Sequence, residues 1–146
     1  MKTRNYLVKR VHELYWQSDT NCARTTLFCL SELFGVDLEA QTIAAAVGMH
    51  GAGLFRAQCG LVEGGLMFIG LYYSILGRPE TEAVAACNGY ARAFTEQFGA
   101  LTCRELRPGG FLPNDPPHMC EHLTCRTIMF AYTYILGLTR QNGEET

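Results

Sequence analysis

Hydrophobic residues recur along most of this chain at intervals of three and four positions, the spacing of one face of an α-helix. The first two apolar stripes consist of Leu7, Val11, Leu14 and Tyr15, and then of Cys22, Thr26, Cys29, Leu30 and Leu33. No segment alternates for long between apolar and polar residues, so strands are not expected. The pattern predicts an all-α fold.

Glycine and proline residues mark the boundaries of the later helices. We expect a short helix over 38–47 and a central, glycine-containing helix from about Cys59 to Leu76. Gly77 can adopt the left-handed conformation that ends a helix, and Pro79 suits the first position of the next one. One face of that next helix consists of Ala83, Cys87, Tyr90, Phe94 and Phe98.

The last third of the chain predicts a brief turn, a loop and one long helix. Thr102 and Glu105 match a capping box, and residues 108–115 are rich in glycine and proline. Asp115 is predicted to cap a final helix that ends near Gly137. We therefore predict a single all-α domain over residues 1–146, a multi-helix bundle in which a glycine-rich loop leads into a buried central helix.

Composition and charge exclude several classes of protein. Lys and Arg number 12 against 14 for Asp and Glu, a net charge of -2, so no basic stripe is available for nucleic acid. The apolar run over 59–77 is barely long enough to cross a bilayer and has no second candidate, so a buried helix is expected instead. The N-terminal segment lacks the apolar core of a signal peptide. Seven cysteines without export favour a reducing, cytoplasmic compartment, where thiols usually serve metal binding or catalysis.

Cys59 lies where a glycine-rich loop feeds the central helix. A thiol at such a position meets unpaired backbone N–H groups and the positive end of the helix dipole, which favour the thiolate. Cys22, Cys103 and Cys120 lie near the starts of three other predicted helices. Because these four residues are far apart in the sequence, they can meet only through the fold.

The other three cysteines have different positions. Cys29 and Cys87 lie in mid-helix on apolar stripes, and we assign both to the core. Cys125 follows Cys120 by five residues, about 140° around a helix, so the two should not both face one small site. Position near the helix start slightly favours Cys120.

Three of the four histidines lie close to these cysteines. His50 lies in the glycine-rich loop, and His118 and His122 flank Cys120, whereas His12 is expected on an exposed helix face. Each of the three could supply a proton or a ligand, although a solvated histidine is the more common case.

The glycine-rich loop and Glu63 are further candidate site elements. The loop over 48–53 could cradle an anion, but it lacks the Lys-Ser or Lys-Thr pair and the preceding strand of a P-loop. Glu63 lies one turn after Cys59, where it could act as a base or a partner of the thiol. It could equally pair with a nearby arginine such as Arg56.

Several of these segments occur in an order that is similar to a known family. They are Asn21-Cys22-Ala23, the Gly51-x-Gly53 loop before Cys59-Gly60-Leu61-Val62-Glu63-Gly64-Gly65, the run Phe98-Gly99-Ala100-Leu101-Thr102-Cys103-Arg104-Glu105-Leu106, and a last cysteine-headed helix. The chain thus resembles the C-GCAxxG-C-C family of redox-active proteins, marked by four cysteines and a C-G-A-x-x-G motif. The resemblance runs from about Asn21 to the last helix. Leu61 departs from the motif, which has Ala there, and a larger side chain would narrow the pocket.

The resemblance implies that Cys22, Cys59, Cys103 and one of Cys120 or Cys125 form the functional set, and these five residues are the candidate metal ligands. It implies redox chemistry without specifying a reaction. An unidentified redox partner is expected, and the glycine-lined central helix is compatible with a homodimer.

Three hypotheses follow for the chemistry of this set. The leading one is an iron–sulfur cluster or another metal–thiolate centre for electron transfer, since four thiolates suit such clusters. The second is thiol–disulfide exchange, with Cys59 and Cys22 as the candidate catalytic residues. The third is a helical module with a structural zinc site or with no site. Gly51, Gly53 and Gly60 are the candidate cofactor-binding glycines.

Overall fold

The computed structural model describes residues 1–143 of the chain, apart from the side chain at position 142. Its helices are α1 (Lys2–Trp16), α2 (Cys22–Phe34), α3 (Ala40–Ala45), α4 (Gly51–Leu54), α5 (Gly60–Ile75), α6 (Glu80–Phe98), α7 (Cys103–Leu106) and α8 (Glu121–Gly143). Over the described residues, the only β-type pairing is an isolated bridge between Gln58 and Thr102. The predicted all-α fold is confirmed.

Helix α5 is the central element of the bundle. It packs most extensively on α2 and α6, and it also contacts α8, while α1 packs on α8 and α2. Its buried side chains are Leu61, Val62, Phe68, Ile69 and Tyr73. The predicted central helix over 59–76 therefore has nearly the expected bounds, with Cys59 as its N-cap and Leu76 as its C-cap.

The predicted apolar stripes form the contacts between the helices. All four residues of the first stripe are buried in α1. In α6, Tyr90 and Phe94 are fully buried, and their rings contact Phe130 of α8. Aromatic packing against α8 therefore fixes the end of α6 that leads toward Cys103.

The boundaries before α6 and α8 differ from prediction. Pro79 is the N-cap of α6 rather than its first residue. Asp115 does not cap the last helix, because its carboxylate accepts hydrogen bonds from the N–H of Leu112 (2.9 Å) and from the Arg107 guanidinium (3.1 Å). These bonds stabilise the preceding loop, so α8 begins at Glu121. It also continues past Gly137 to Gly143.

The glycine-rich loop contains the short helix α4, which the sequence pattern did not predict. Its backbone is unusual, since Ala52, Leu54 and Arg56 all have positive φ angles, as do Gly51 and Gly53. Non-glycine residues rarely adopt this left-handed conformation. The side chains of Leu54 and Phe55, directly after residues 48–53, are largely exposed to solvent.

Within the described residues, none of the helices combines the length and the apolar character that a bilayer crossing requires.

Candidate functional site

Four cysteines lie at the starts of four helices. Cys22 and Cys103 are the first residues of α2 and α7, and Cys59 is the N-cap of α5. Cys120 directly precedes α8, and its carbonyl oxygen accepts a hydrogen bond from the N–H of Thr124 at 2.7 Å. The helix-start positions expected for these thiols are therefore present in the fold.

Asn21 holds the start of α2 against the segment before the glycine-rich loop. Its side-chain oxygen accepts a hydrogen bond from the N–H of Arg24 at 2.9 Å, which caps the helix. Its side-chain nitrogen donates to the carbonyl oxygens of Ala46 and Val47, both at 3.0 Å. One asparagine thus fixes both the position of Cys22 and the entry to the loop.

Backbone hydrogen bonds align the segments that carry Cys59 and Cys103. The N–H of Cys59 donates to the carbonyl oxygen of Leu101 at 2.8 Å, and the N–H of Cys103 donates to that of Ala57 at 2.7 Å. These bonds flank the bridge between Gln58 and Thr102. Two cysteines separated by 44 positions in the sequence therefore lie on adjacent segments.

Glycines permit close approach around the thiols. A Cβ atom at Gly60 would overlap with the sulfur of Cys22 and lie 2.5 Å from the carbonyl oxygen of Met49. A Cβ atom at Gly51 would lie 3.1 Å from that of Cys103. The predicted cofactor-binding glycines Gly60 and Gly51 thus contact the thiol region, whereas Gly53 is exposed with no such neighbour within 4 Å.

The thiols of these four residues lie within electrostatic range of one another. Burial raises the pKa of Cys22 to about 12, with further contributions from the charges of Cys103 and Cys120. Burial also raises the pKa of Cys59 to about 12, and the charges of Cys22, Cys103 and Cys120 all add to this rise. We call Cys22, Cys59, Cys103 and Cys120 the thiol cluster.

The expected low-pKa thiol at Cys59 is not found. The backbone N–H groups of Ala23 and Leu61 do lower the pKa values of Cys22 and Cys59, as their helix-start positions predict. Burial has the larger effect and favours the neutral thiol. Both thiols are therefore protonated at neutral pH unless a cation compensates their charge.

Two arginines distinguish Cys103 from the other members of the thiol cluster. Burial raises its pKa, but Arg107 and Arg56 oppose this rise. Arg107 also opposes the rise at Cys120. Arg107 is not part of any motif in the sequence, but its position four residues after Cys103 places it one helical turn away.

The structure places Cys125 outside the thiol cluster. Its sulfur contacts the carbonyl oxygen of Leu7 at 3.9 Å, and its charge contributes to the raised pKa of Cys29. Cys29 is fully buried in the core, and the thiol of Cys87 contacts the carbonyl oxygen of Leu66 at 3.8 Å. Of the two candidates for the fourth member, Cys120 lies with the other three thiols.

Three of the four histidines contact other side chains. His50 lies 3.3 Å from the side-chain nitrogen of Asn21, and His118 stacks on Tyr15. His12, on an exposed face as expected, contacts the carboxylate of Glu121 at 2.7 Å. His122 is exposed.

Glu63 does not pair with Arg56. A hydrogen bond from Gln58 lowers its pKa, while burial, the larger effect, raises it. Arg56 instead lies over the ring of Phe111, 3.9 Å from the ring centre. That alternative for Glu63 is therefore wrong, and its role as a base stays a prediction.

The donor atoms of the thiol cluster are of the type that thiolate-bound centres use, but their arrangement does not form a site for a metal ion. Across residues 1–143, no three His, Cys, Asp or Glu side chains are grouped so that they could hold a metal ion. Four sulfurs on a single Zn²⁺ lie about 3.8 Å apart, given Zn–S bonds of about 2.3 Å in a tetrahedron. The described side chains are not grouped in that way.

Comparison with known proteins gives one match. Residues 20–134 match the family described as "Putative redox-active protein (C_GCAxxG_C_C)". Neither the curated proteins nor the solved structures include a match. The matched range covers most of the chain and includes all four members of the thiol cluster. This chain belongs to the C-GCAxxG-C-C family.

Proposed function

We propose that the thiol cluster acts as one redox centre that holds an iron–sulfur cluster and transfers electrons to a partner. The observation that carries this proposal is the convergence of four thiols from four helix starts. Cysteine thiolates are the usual ligands of such clusters, and four of them complete the common types. When bound, the cluster would supply one-electron chemistry.

The surroundings of the thiols favour ligation by a cationic group over free thiolates. The charges of Cys22, Cys103 and Cys120 each raise the pKa of at least one other thiol of the cluster, so several negative charges together are unfavourable in this buried region. A bound metal cation would instead favour the thiolates, since metal ions displace the protons from the thiols that coordinate them. The backbone N–H groups of Ala23 and Leu61 would then donate to sulfurs that carry negative charge.

The redox character of the family favours an iron–sulfur centre over a single zinc ion, because Zn²⁺ has no redox chemistry. No group of three ligands in the described part of the chain could hold one ion. The structural zinc site therefore ranks below the iron–sulfur centre.

Thiol–disulfide exchange is the second candidate function. In that reaction a thiolate attacks a partner disulfide, a new S–S bond forms, and the partner's other sulfur leaves as a thiolate. A pKa of about 12 makes Cys59 a poor attacking group at neutral pH. Cys103 suits that role better, because Arg107 and Arg56 favour its thiolate.

The proposal is tested by preparing the full chain without oxygen, reconstituting it with iron and sulfide, and measuring both elements together with the visible absorbance. We expect bound iron and acid-labile sulfide in the unaltered protein. Alanine substitutions of Cys22, Cys59, Cys103 and Cys120 should each remove most of both.

The other three cysteines provide matched controls. Cys29→Ala, Cys87→Ala and Cys125→Ala remove the same atom from sites outside the thiol cluster, so they should retain iron and sulfide. Helical circular dichroism identifies any variant that fails to fold. A colourless reconstituted protein, or equal losses in Cys120→Ala and Cys125→Ala, would contradict the proposal.

A further inference from the structure

A large cleft lies beside α1 and α8, apart from the thiol cluster. It encloses about 1150 Å³, and residues of α1, the end of α6, the segment 116–119 and α8 line it. Ligand pockets for small molecules typically measure about 300–1,000 Å³. The cleft is therefore large enough for a molecule with several fused or linked rings.

The wall of the cleft is rich in aromatic and thioether side chains. Trp16, Phe98 and Phe130 contribute rings, and Met119 and Met129 contribute flexible sulfur-containing chains. The rings of Phe98 and Phe130 meet edge to face, with centres 5.4 Å apart. Trp16 leaves 49% of its surface exposed. Such a surface favours a flat aromatic body, which can stack on rings and displace water.

Two arginines in the wall have no carboxylate partner among the described residues. Within residues 1–143, Arg4 and Arg126 make no ion pair, whereas Arg10, Arg78 and Arg107 each pair with a carboxylate. The guanidinium of Arg126 lies 5.5 Å from the centre of the Phe98 ring, at the junction of charge and apolar surface.

The single carboxylate in this wall does not neutralise these arginines. Glu121 already accepts hydrogen bonds from the indole nitrogen of Trp16 at 2.8 Å and from His12 at 2.7 Å. No other acidic residue lines the described cleft. The cleft therefore presents two uncompensated cations beside an aromatic surface.

We propose that this cleft binds an organic anion with a flat aromatic body, the rings lying against Trp16, Phe98 and Phe130 and the acidic group meeting Arg4 and Arg126. The site does not depend on the chemistry of the thiol cluster. Met119 and Glu121, the chain neighbours of Cys120, both line the cleft, so a bound molecule lies beside a segment that carries one of the four thiols.

The test uses the metal-free full chain and two probes that share an aromatic body. Anilinonaphthalene sulfonate carries a negative charge, and phenylnaphthylamine is its uncharged counterpart. Trp16 is the only tryptophan of the chain and lies in the wall, so its emission reports binding at this site. We expect both probes to quench Trp16, and the sulfonate to bind more tightly.

Charge substitutions separate this site from binding elsewhere. Arg126→Gln should weaken binding of the sulfonate about tenfold, which is the effect of losing one hydrogen bond to a charged group. It should change the affinity for the uncharged probe less than about twofold. Arg140→Gln removes the same charge from the same helix outside the cleft and should leave both affinities unchanged. Val8→Glu adds a carboxylate to the wall, which should weaken binding of the negatively charged sulfonate. Because Val8 is 54% exposed, the substitution should not disturb the fold.

Several outcomes would overturn the assignment. Equal effects of Arg126→Gln and Arg140→Gln on the sulfonate would place the binding elsewhere, as would binding that leaves Trp16 emission unchanged. Failure of both probes to bind the folded chain would remove the site. A dimer in sedimentation that the sulfonate dissociates would assign the cleft to a second copy of the chain instead. If Arg126→Gln fails to fold, Val8→Glu decides the question alone.

Discussion

The four cysteines of the thiol cluster and the three other cysteines share a chemical group but not a position in the fold. Burial is the largest cause of a raised pKa in both groups, including Cys59 in the first and Cys29 in the second. The first group lies at helix starts, and the second lies within helices. Burial therefore does not distinguish the candidate site from the core; position along the helix does.

This difference has a geometric basis. Side chains in mid-helix project sideways and meet the facing helix, as Cys87 meets Leu66. Helix starts in this fold are joined by loops and backbone pairing, as between Cys59 and Leu101. Several such starts can therefore approach one point. The close approach also requires residues without side chains, which explains the glycines at the start of α5.

The largest expected effect comes from adding a side chain where α5 packs closely against Cys22. Gly60→Ala places a Cβ atom against the sulfur of Cys22 and 2.5 Å from the carbonyl oxygen of Met49, which belongs to the backbone. We expect the free energy of unfolding to fall by about 3 kcal/mol, the upper range for overpacking, together with loss of bound iron. Chemical denaturation and metal analysis measure the two effects.

Gly70→Ala is the matched control on the same helix. Gly70 is exposed and has no such neighbour within 4 Å, so alanine there should raise stability by up to about 1 kcal/mol through helix propensity. If the two substitutions change the free energy of unfolding equally, close packing against the thiol cluster does not explain why residue 60 is a glycine.

The second effect is a loss of stability in alkaline solution, shared by both groups of cysteines. The pKa values of Cys22, Cys29 and Cys59 rise from 9.0 to about 12 on folding, so the folded chain holds these protons longer than the unfolded chain. Stability is then complete below pH 9 and falls between about pH 9 and 12. The loss should reach about 1.4 kcal/mol per thiol at about pH 10.

Denaturation of the reduced, metal-free protein at several pH values measures this loss. Cys29→Ala and Cys59→Ala should each reduce it by about the same amount, because burial is the leading cause in both. Cys103→Ala should reduce it less, since two arginines oppose the rise in its pKa. A free energy of unfolding that stays constant above pH 9 would refute this account of the thiols.

The smallest effect concerns two tyrosines, one near each group. The pKa of Tyr90 responds to Cys59, and that of Tyr134 responds to Cys87. The buried Tyr90 hydroxyl has no hydrogen-bond partner among the described residues, whereas that of Tyr134 donates to Ala86 at 3.1 Å. Tyr90→Phe should therefore raise stability by up to about 1 kcal/mol, and Tyr134→Phe should lower it by about 1 kcal/mol.

Thermal and chemical denaturation of the two variants test this contrast. If Tyr90→Phe destabilises the protein as much as Tyr134→Phe does, then the Tyr90 hydroxyl has a hydrogen-bond partner outside the described residues.

The sequence predicted helix positions well where the feature that defines the helix is local, such as apolar spacing or a glycine at its end. Apolar spacing located α1 and α2, and Gly77 adopts the left-handed conformation expected at the end of α5. The prediction that Asp115 caps α8 is wrong, because a capping residue can bond either to the helix after it or to the loop before it. The choice depended on Arg107 and on the N–H of Leu112, which only the folded loop brings together.

The candidate site was predictable in part for the same reason. Helix-start positions singled out Cys22, Cys59 and Cys103 from the sequence and slightly favoured Cys120 over Cys125, because a helix start is a local feature. The pKa of Cys59 was not predictable, because it depends on burial by other helices and on charges from three distant cysteines. The separation of Cys125 from the thiol cluster likewise depends on how α8 packs against α1.

Mild oxidation of the reduced, metal-free protein with diamide, followed by peptide mapping of the disulfides, tests the convergence of the four thiols most directly. The account predicts disulfides only among Cys22, Cys59, Cys103 and Cys120, with Cys29, Cys87 and Cys125 recovered as free thiols. Disulfides that join Cys125 or Cys87 to a member of the thiol cluster, at yields equal to those within it, would contradict the central claim.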